Sequence, residues 1–228
     1  MKVLVIDVGG TNIKVKVSNK EEVRKFPSGQ ELTAKQMIAG VLENISDWSF
    51  DCVTIGFPGP VINGKIINEP VNLGTGWVDT DFAKAFGKPV RLINDAAMQA
   101  LGCYEGGRML FLGLGTGLGT TLIIDGVVAG LELAHLPFKK NKSFEEFVGA
   151  KAMKDDGRKH WQENVFEVVK ILKAGLIADY VVLGGGNVKK LDELPEGAKK
   201  GDNAFAFLGG VRFWDDKLSS KPKKNNKG

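Results

Sequence analysis

Two glycine-rich turns, each clasped between β-branched stretches, constrain this chain more than any other feature. The first lies in Val5-Ile6-Asp7-Val8-Gly9-Gly10-Thr11-Asn12-Ile13-Lys14-Val15. The second lies in Phe111-Leu112-Gly113-Leu114-Gly115-Thr116-Gly117-Leu118-Gly119-Thr120-Thr121-Leu122. An apolar run, a tight turn of glycine and threonine and a second β-branched run together read as a β-hairpin. Glycines in such a turn permit φ > 0 and leave backbone N–H groups bare, so an anion can approach the main chain. A single turn of this kind serves any hairpin. Two of them, one near the start of each half, point to a duplicated unit that grips one polyphosphate ligand from both sides.

The pattern around these turns predicts two α/β domains, 1–106 and 107–216, with a ligand cleft between them. A basic, disordered tail is expected at 217–228, where little can be buried. In the first half Lys2–Val8 and Ile13–Val17 form the hairpin, and Val23–Phe26 adds an antiparallel strand. Thr33 and Gln36 make a capping box for a helix whose apolar face is Ala34, Met37, Ile38, Val41, Leu42 and Ile45. Val53–Phe57 reads as a buried strand closed by Pro58-Gly59-Pro60, and Asp81–Phe86 as a short helix. Val90–Ile93 is a strand ended by Asn94-Asp95, with a helix over Ala96–Tyr104. The second half repeats the scheme loosely. Met109–Leu114 and Thr120–Ile124 are its hairpin, and Ser143 with Glu146 opens a helical region to about Lys154. Trp161, Val165, Val168, Val169 and Leu172 mark another helix, and Asp179–Leu183 a strand running into Gly184-Gly185-Gly186. The last helix, Ala204–Trp214, can pack back on the first domain.

Several classes of protein are disfavoured. Cys52 and Cys103 are the only cysteines, too few for a disulfide framework or a cysteine-rich zinc site, and they suit a reducing cytoplasm. No apolar run approaches the ~18 residues a membrane span needs, and Lys2 leads straight into a strand, so neither span nor leader is expected. The net charge of +4 comes partly from the tail, and the lysines do not interleave with aromatic residues, so no nucleic-acid partner is expected.

The candidate chemistry sits beside the turns. Asp7 precedes the first; a carboxylate there repels phosphate unless a divalent cation or its waters intervene, or else it bonds its own turn. Lys14 either reaches a phosphate or is a solvated strand lysine. Asn94-Asp95 stands at the carboxyl end of a strand, where ligand contacts collect in open α/β sheets. Asp95 either caps the next helix or takes the proton of a substrate hydroxyl during phosphoryl transfer. Asn94 can donate and accept at once, as a reader of sugar hydroxyls does. Glu132 can accept two hydroxyl bonds, and His135 can both donate and accept. Asn72 lies in a turn-rich loop beside Trp77. Gly184-Gly185-Gly186 is either a plain strand-to-helix turn or a place where a ligand nears the backbone. Lys139, Lys140 and Lys142 read as a solvated loop, and His160 as helix surface.

In this order the motifs resemble those of the ROK family of sugar kinases, within the actin/hexokinase/Hsp70 superfamily. The resemblance runs to about Asp216 and implies two ribonuclease-H-like (actin/hexokinase-type) domains. It implies transfer of a phosphoryl group from ATP or polyphosphate to the 6-hydroxyl of a hexose, glucose first. On that resemblance Gly9, Gly10, Thr11 and Lys14 form the first phosphate motif, and Gly115, Thr116 and Gly117 the second. Asn72, Asn94, Asp95, Glu132 and His135 bind the sugar, with Asp95 as catalytic base. Gly184, Gly185 and Gly186 lie on the nucleotide or donor side, and Mg²⁺ is held near Asp7 through water. Two departures stand out. Ala134 replaces a glycine in the Glu-x-Gly-His motif, and Leu136-Pro137-Phe138-Lys139 stands where many members carry a cysteine-rich zinc loop, so no zinc site is expected at His135. In this the chain is more similar to polyphosphate glucokinases, and Lys139, Lys140, Lys142, Lys189 and Lys190 are the lysines expected to track a polyanion. The expected partners are a small hexose and a phosphoryl donor, with no membrane and no nucleic acid, and a homodimer is left open. The alternative is a non-catalytic sugar-sensing regulator of the same family; such regulators carry an N-terminal helix-turn-helix, whereas this chain opens on a strand. A pure nucleotide clamp is disfavoured by Asn94, Glu132 and His135, which it would not need.

Overall fold

The computed structural model describes residues 1–202 and 204–215, so the expected tail at 217–228 lies outside the described residues. The chain divides into two compact units, one made of Met1–Cys103 with Gly201–Arg212, the other centred on Tyr104–Lys200.

In the first unit β1 (Val3–Val8), β2 (Asn12–Val17) and β3 (Arg24–Pro27) form an antiparallel meander. Ile13, Val15 and Val17 are buried while Asn12, Lys14 and Lys16 are not, the period-two pattern of a half-covered sheet. Helix α1 (Ala34–Asn44) starts at a reciprocal cap: Gln36 N–H donates to Thr33 Oγ1, and Thr33 N–H donates to Gln36 Oε1. After it come β4 (Cys52–Phe57), the small hairpin of β5 (Val61–Ile62) and β6 (Lys65–Ile66), and α2 (Phe82–Phe86). α2 is capped by Asp81, which accepts the Lys84 N–H, and closes at Gly87 in the left-handed region, φ 61°. β7 (Val90–Asn94) leads directly into α3 (Asp95–Cys103). β4 pairs parallel to both β1 and β7, giving the order β3-β2-β1-β4-β7. Its central place explains why every residue of β4 is buried.

The second unit uses the same order. β8 (Arg108–Leu114), β9 (Leu118–Ile124) and β10 (Val127–Leu131) form the meander. Next come β11 (Pro137–Lys139), β12 (Lys142–Ser143), α4 (Glu145–Val148), α5 (Ala150–Asp156) and α6 (Arg158–Gly175). β13 (Tyr180–Gly184) pairs parallel to β8, and β14 (Ala198–Lys200) parallel to β13, so the sheet reads β10-β9-β8-β13-β14. The duplication suggested by the glycine turns is thus a duplication of topology: three antiparallel strands, then two parallel ones.

Some expectations need correction here. β10 and β14 are strands the apolar pattern does not mark, because both are sheet edges: β10 holds Ala129 and Gly130, and β14 is Ala-Lys-Lys. The continuous helical region from Ser143 to Lys154 is broken. Ser143 N–H and hydroxyl do donate to Glu146 Oε2, at 2.8 and 3.2 Å, yet Ser143 belongs to β12. That backbone N–H also holds the exposed Glu146 carboxyl below its ordinary range. The chain then leaves helical geometry at Gly149, ψ 167°. A Cβ at Gly149 would lie 2.9 Å from both Glu145 O and Thr116 O, so the break falls where this backbone presses on the second glycine turn.

α7 (Phe205–Arg212) belongs to the first unit and packs on α3. Thr54 Oγ1 donates to Gly210 O at 2.7 Å, and Arg212 Nη1 donates to Leu101 O and Gly102 O, late carbonyls of α3, at 3.1 and 2.9 Å. Among the described residues no helix is long and apolar enough to cross a membrane.

Candidate active site

Because β1, β4 and β7 are parallel, their carboxyl ends share one edge of the first sheet. Gly9-Gly10, Pro58-Gly59 and Asn94-Asp95 follow those ends, the position where open α/β sheets bind ligands. The first glycine turn is braced from outside: Ser28 Oγ donates to Gly9 O at 2.7 Å, and Ser28 N–H to Thr11 O at 3.0 Å. Its glycines do not use the positive φ that glycine permits. Neither Gly9 nor Gly10, nor any glycine from Gly113 to Gly119, lies in that region. The requirement at Gly9 is space, since a Cβ there would stand 2.9 Å from Asn12 O. Gly10 faces Asn72, whose Cβ is 4.0 Å from where a Gly10 Cβ would be. Asn72 is held there by its neighbours: Leu73 is buried, and Gly74 N–H donates to Leu32 O at 3.0 Å.

Asp7 and Lys14 are cross-strand partners on β1 and β2, with Nζ 3.3 Å from Oδ2. The Asp7 side chain is only 19% exposed, so this carboxylate is partly shielded and directly below the turn. Asn94 settles which residue caps α3. Its Oδ1 accepts the Ala97 N–H at 3.1 Å, and its Nδ2 donates to Gly59 O at 3.1 Å. Asn94 therefore ties the end of β7 to the loop after β4 and keeps one N–H and one lone pair for other work. Asp95 is the first helical residue rather than the cap. Its Oδ1 accepts the Ala96 N–H at 2.8 Å, in the first turn of α3.

In the second unit the carboxyl ends of β8 and β13 are stitched together. Asn187 N–H donates to Leu114 O at 2.9 Å and Asn187 Nδ2 to Gly115 O at 2.8 Å. Gly185 has φ 83° and lies so close to Leu114 that a Cβ would be 2.6 Å from its carbonyl carbon. The triple glycine is thus part of the second turn's support. Over that turn lies a carboxylate, Glu145, which accepts the Leu118 N–H at 3.2 Å and covers the face of Gly117. Bare N–H groups facing an anion are what such a turn offers. Glu145, Ser28 and Asn187 were not singled out from sequence. Glu145 reads there only as an acid beside a capping box.

Glu132 precedes and His135 ends a single 3₁₀ turn, Leu133–His135. Thr120 pins it, donating to Leu131 O at 2.6 Å and accepting the Leu133 N–H at 3.2 Å. Ala134 is buried in the core of this unit, while the Glu132 and His135 side chains are 65% and 71% exposed, with Oε2 and Nε2 3.7 Å apart. The methyl of Ala134 therefore finds a place, and the two polar side chains point outward together. The lysine track needs correction at Lys139, which pairs with Glu167 and lies 3.3 Å from Asn164 Oδ1. Lys140, Lys142, Lys189 and Lys190 are exposed. Among the described residues no group of three or more His, Cys, Asp or Glu is placed to hold a metal ion. A single carboxylate such as Asp7 would suffice for a magnesium ion that arrived with phosphate, since such ions take one or two carboxylates and complete their shell with water and phosphate oxygens.

Two five-stranded sheets of identical order, each with a glycine turn at the carboxyl end of its first strand, define a duplicated α/β protein. The sequence matches the model of the ROK family over residues 3–135, and the chain belongs to that family. No curated protein matches it. Among solved structures it is similar to the inorganic polyphosphate/ATP-glucomannokinase from Arthrobacter sp. strain KM, with 23% identity over 92% of this chain and 96% of that one, TM-score 0.77. It is similar to a ROK family glucokinase from Streptomyces griseus in complex with glucose and AMPPNP, with 14% identity, 93% and 99% coverage and TM-score 0.71. It is also similar to a ROK family transcriptional regulator, a homolog of the E. coli MLC protein, with 14% identity, 95% and 78% coverage and TM-score 0.73. Identities this low establish the shared fold.

Proposed function

We propose that this chain is a hexose kinase that moves a terminal phosphoryl group from ATP or polyphosphate to the primary hydroxyl of glucose. One observation carries the reading: on a single sheet edge, the Gly9-Gly10 turn, Asn72 and Asn94-Asp95 bring an anion cradle, hydroxyl readers and a carboxylate together. In this reading the sugar oxygen attacks the terminal phosphorus as the bond to the donor's bridging oxygen breaks, and Asp95 takes the hydroxyl proton. Asn72, Asn94, Glu132 and His135 orient the sugar, while backbone N–H groups of the two glycine turns, with Lys14, stabilise phosphate oxygens. Gly184, Gly185 and Gly186 lie on the donor side. Magnesium, bound with the donor phosphates near Asp7, would neutralise charge on them. The polarity of Glu132 and His135 favours this over a nucleotide-only clamp.

Glucose binding should depend on the outward pair. Glu132→Ala or His135→Ala is expected to raise the glucose KM at least about tenfold, because a sugar hydroxyl left without its partner in the complex forfeits most of the bond. Steady-state kinetics check this, and KM values within twofold of wild type would remove the pair from the sugar site. The purified protein should contain no stoichiometric zinc by elemental analysis, and one zinc per chain lost in His135→Ala would overturn the assignment.

For the donor, we infer that polyphosphate is accepted, with Lys140, Lys142, Lys189 and Lys190 as its cations. Exposed charge pairs are screened over ~8 Å at physiological ionic strength, so the polyphosphate-supported rate should fall more steeply with added salt than the ATP-supported one. A donor panel with glucose and Mg²⁺ decides. ATP turnover with no polyphosphate turnover at low salt would refute the polyphosphate claim and leave the hexose-kinase reading intact.

A further inference from the structure

The β11–β12 hairpin joins two stretches of interest: upstream the outward Glu132 and His135, downstream Glu145 on the second glycine turn. The hairpin's own ladder is slight. It pairs only Pro137 with Ser143 and Lys139 with Lys142, with a register irregularity between them. Pro137 has no N–H to contribute. The turn places two non-glycine residues, Lys140 and Asn141, at φ 49° and 60°, a strained choice for lysine. So short a ribbon needs anchoring from outside.

The anchor is Lys139. Its ammonium pairs with Glu167, lies 3.3 Å from Asn164 Oδ1 and sits 4.6 Å from the centre of the Phe138 ring. Asn164 and Glu167 are three residues apart on α6 and so share a face. Asn164 is 2% exposed, and its Nδ2 has no partner among the described residues, so the Lys139 bond is what its buried amide has. Phe138 packs against Phe144 at 4.9 Å and edge-on to Phe147 at 5.3 Å, which fastens both arms of the ribbon.

We propose that Lys139 is a positioning residue: its bonds to Glu167 and Asn164 lock the β11–β12 hairpin onto α6 and thereby fix Glu132 and His135 for reading sugar hydroxyls. The inference rests on the hexose-kinase reading for its functional half. It also removes Lys139 from any polyanion track, since its ammonium already serves two acceptors.

The test compares Lys139→Met, Lys139→Arg, Glu167→Gln and the exchanged pair Lys139→Glu/Glu167→Lys with wild type, each checked for folding by circular dichroism. Lys139→Met and Glu167→Gln are expected to raise the glucose KM about five- to tenfold with kcat and donor KM within about twofold, the signature of lost substrate positioning. Lys139→Arg and the exchanged pair should recover most of that loss. A glucose KM unchanged in both single variants, or a uniform fall in kcat with no KM effect, overturns the proposal. Hydrogen exchange supplies a readout independent of catalysis. Amides of Leu133–Ser143 should exchange at least about tenfold faster in Lys139→Met, as in a local opening, with α6 unaffected. Unchanged exchange there overturns the latch even if wild type proves to phosphorylate no sugar, an outcome that would instead defeat the hexose-kinase reading.

Discussion

Asp95→Asn is expected to lower kcat for glucose phosphorylation by about 10² to 10⁴ while leaving the glucose KM within about threefold. The amide has the shape of the carboxylate, and its oxygen can still accept the Ala96 N–H that Asp95 now accepts at 2.8 Å. Asn94 keeps capping α3 through Ala97, so the helix should start in the same place. What disappears is the capacity to take a proton. Steady-state kinetics and glucose binding by calorimetry measure the two parts separately. A variant that retains more than about a tenth of wild-type turnover, outside the usual range for a positioned base, would show that Asp95 is not the base. Wild-type protein that binds glucose and transfers phosphate from no donor would favour the sugar-sensing alternative.

Much of the arrangement is legible in sequence because it depends on local chemistry. The capping box at Thr33 and Gln36, the stop at Gly87 and the run of β4 are read from short-range rules and appear as expected. The glycine turns are legible as turns, but the reason for glycine is not: at Gly9 it is the approach of Asn12 O, and at Gly117 the carboxylate of Glu145. The first is backbone geometry inside the turn, and only the second is a tertiary contact. Which residue caps α3 is likewise undecidable from spacing alone, since either residue of Asn94-Asp95 can cap. The Ala97 N–H on Asn94 Oδ1 assigns the cap to Asn94, and the Asn94 bond to Gly59 O, across thirty-five positions of chain, holds that side chain in place. Edge strands β10 and β14 escape notice because an edge needs no continuous apolar run. Lys139 looks like any loop lysine until α6 brings Asn164 and Glu167 to it.

Gly209→Val should be the most damaging single change to the first unit. Helices α3 and α7 cross at glycines: a Cβ on Gly209 would fall inside the van der Waals shell of Met98 O, and one on Gly102 inside that of Phe205 O. These are backbone atoms, so no side chain can swing aside. Met98 also works on its other flank, its side chain filling the space above Gly56 of β4, where a Cβ would be 3.0 Å from Sδ. It is thus held between α7 and the sheet, four residues into the helix that begins with Asp95. A β-branched side chain at 209 must push α7 away, breaking the Thr54 to Gly210 and Arg212 to Leu101 and Gly102 bonds, or push α3 along the sheet. Overpacking of this kind costs about 3 kcal/mol, which for a chain of this size lowers the thermal midpoint by about 6–12 °C. Differential scanning calorimetry reads that shift. Because α3 carries Asp95, turnover at temperatures where the variant remains folded should also fall, by about tenfold or more for an ångström of misplacement. A midpoint within about 2 °C of wild type, well short of that overpacking cost, would mean that the α3–α7 crossing is looser than these glycines imply.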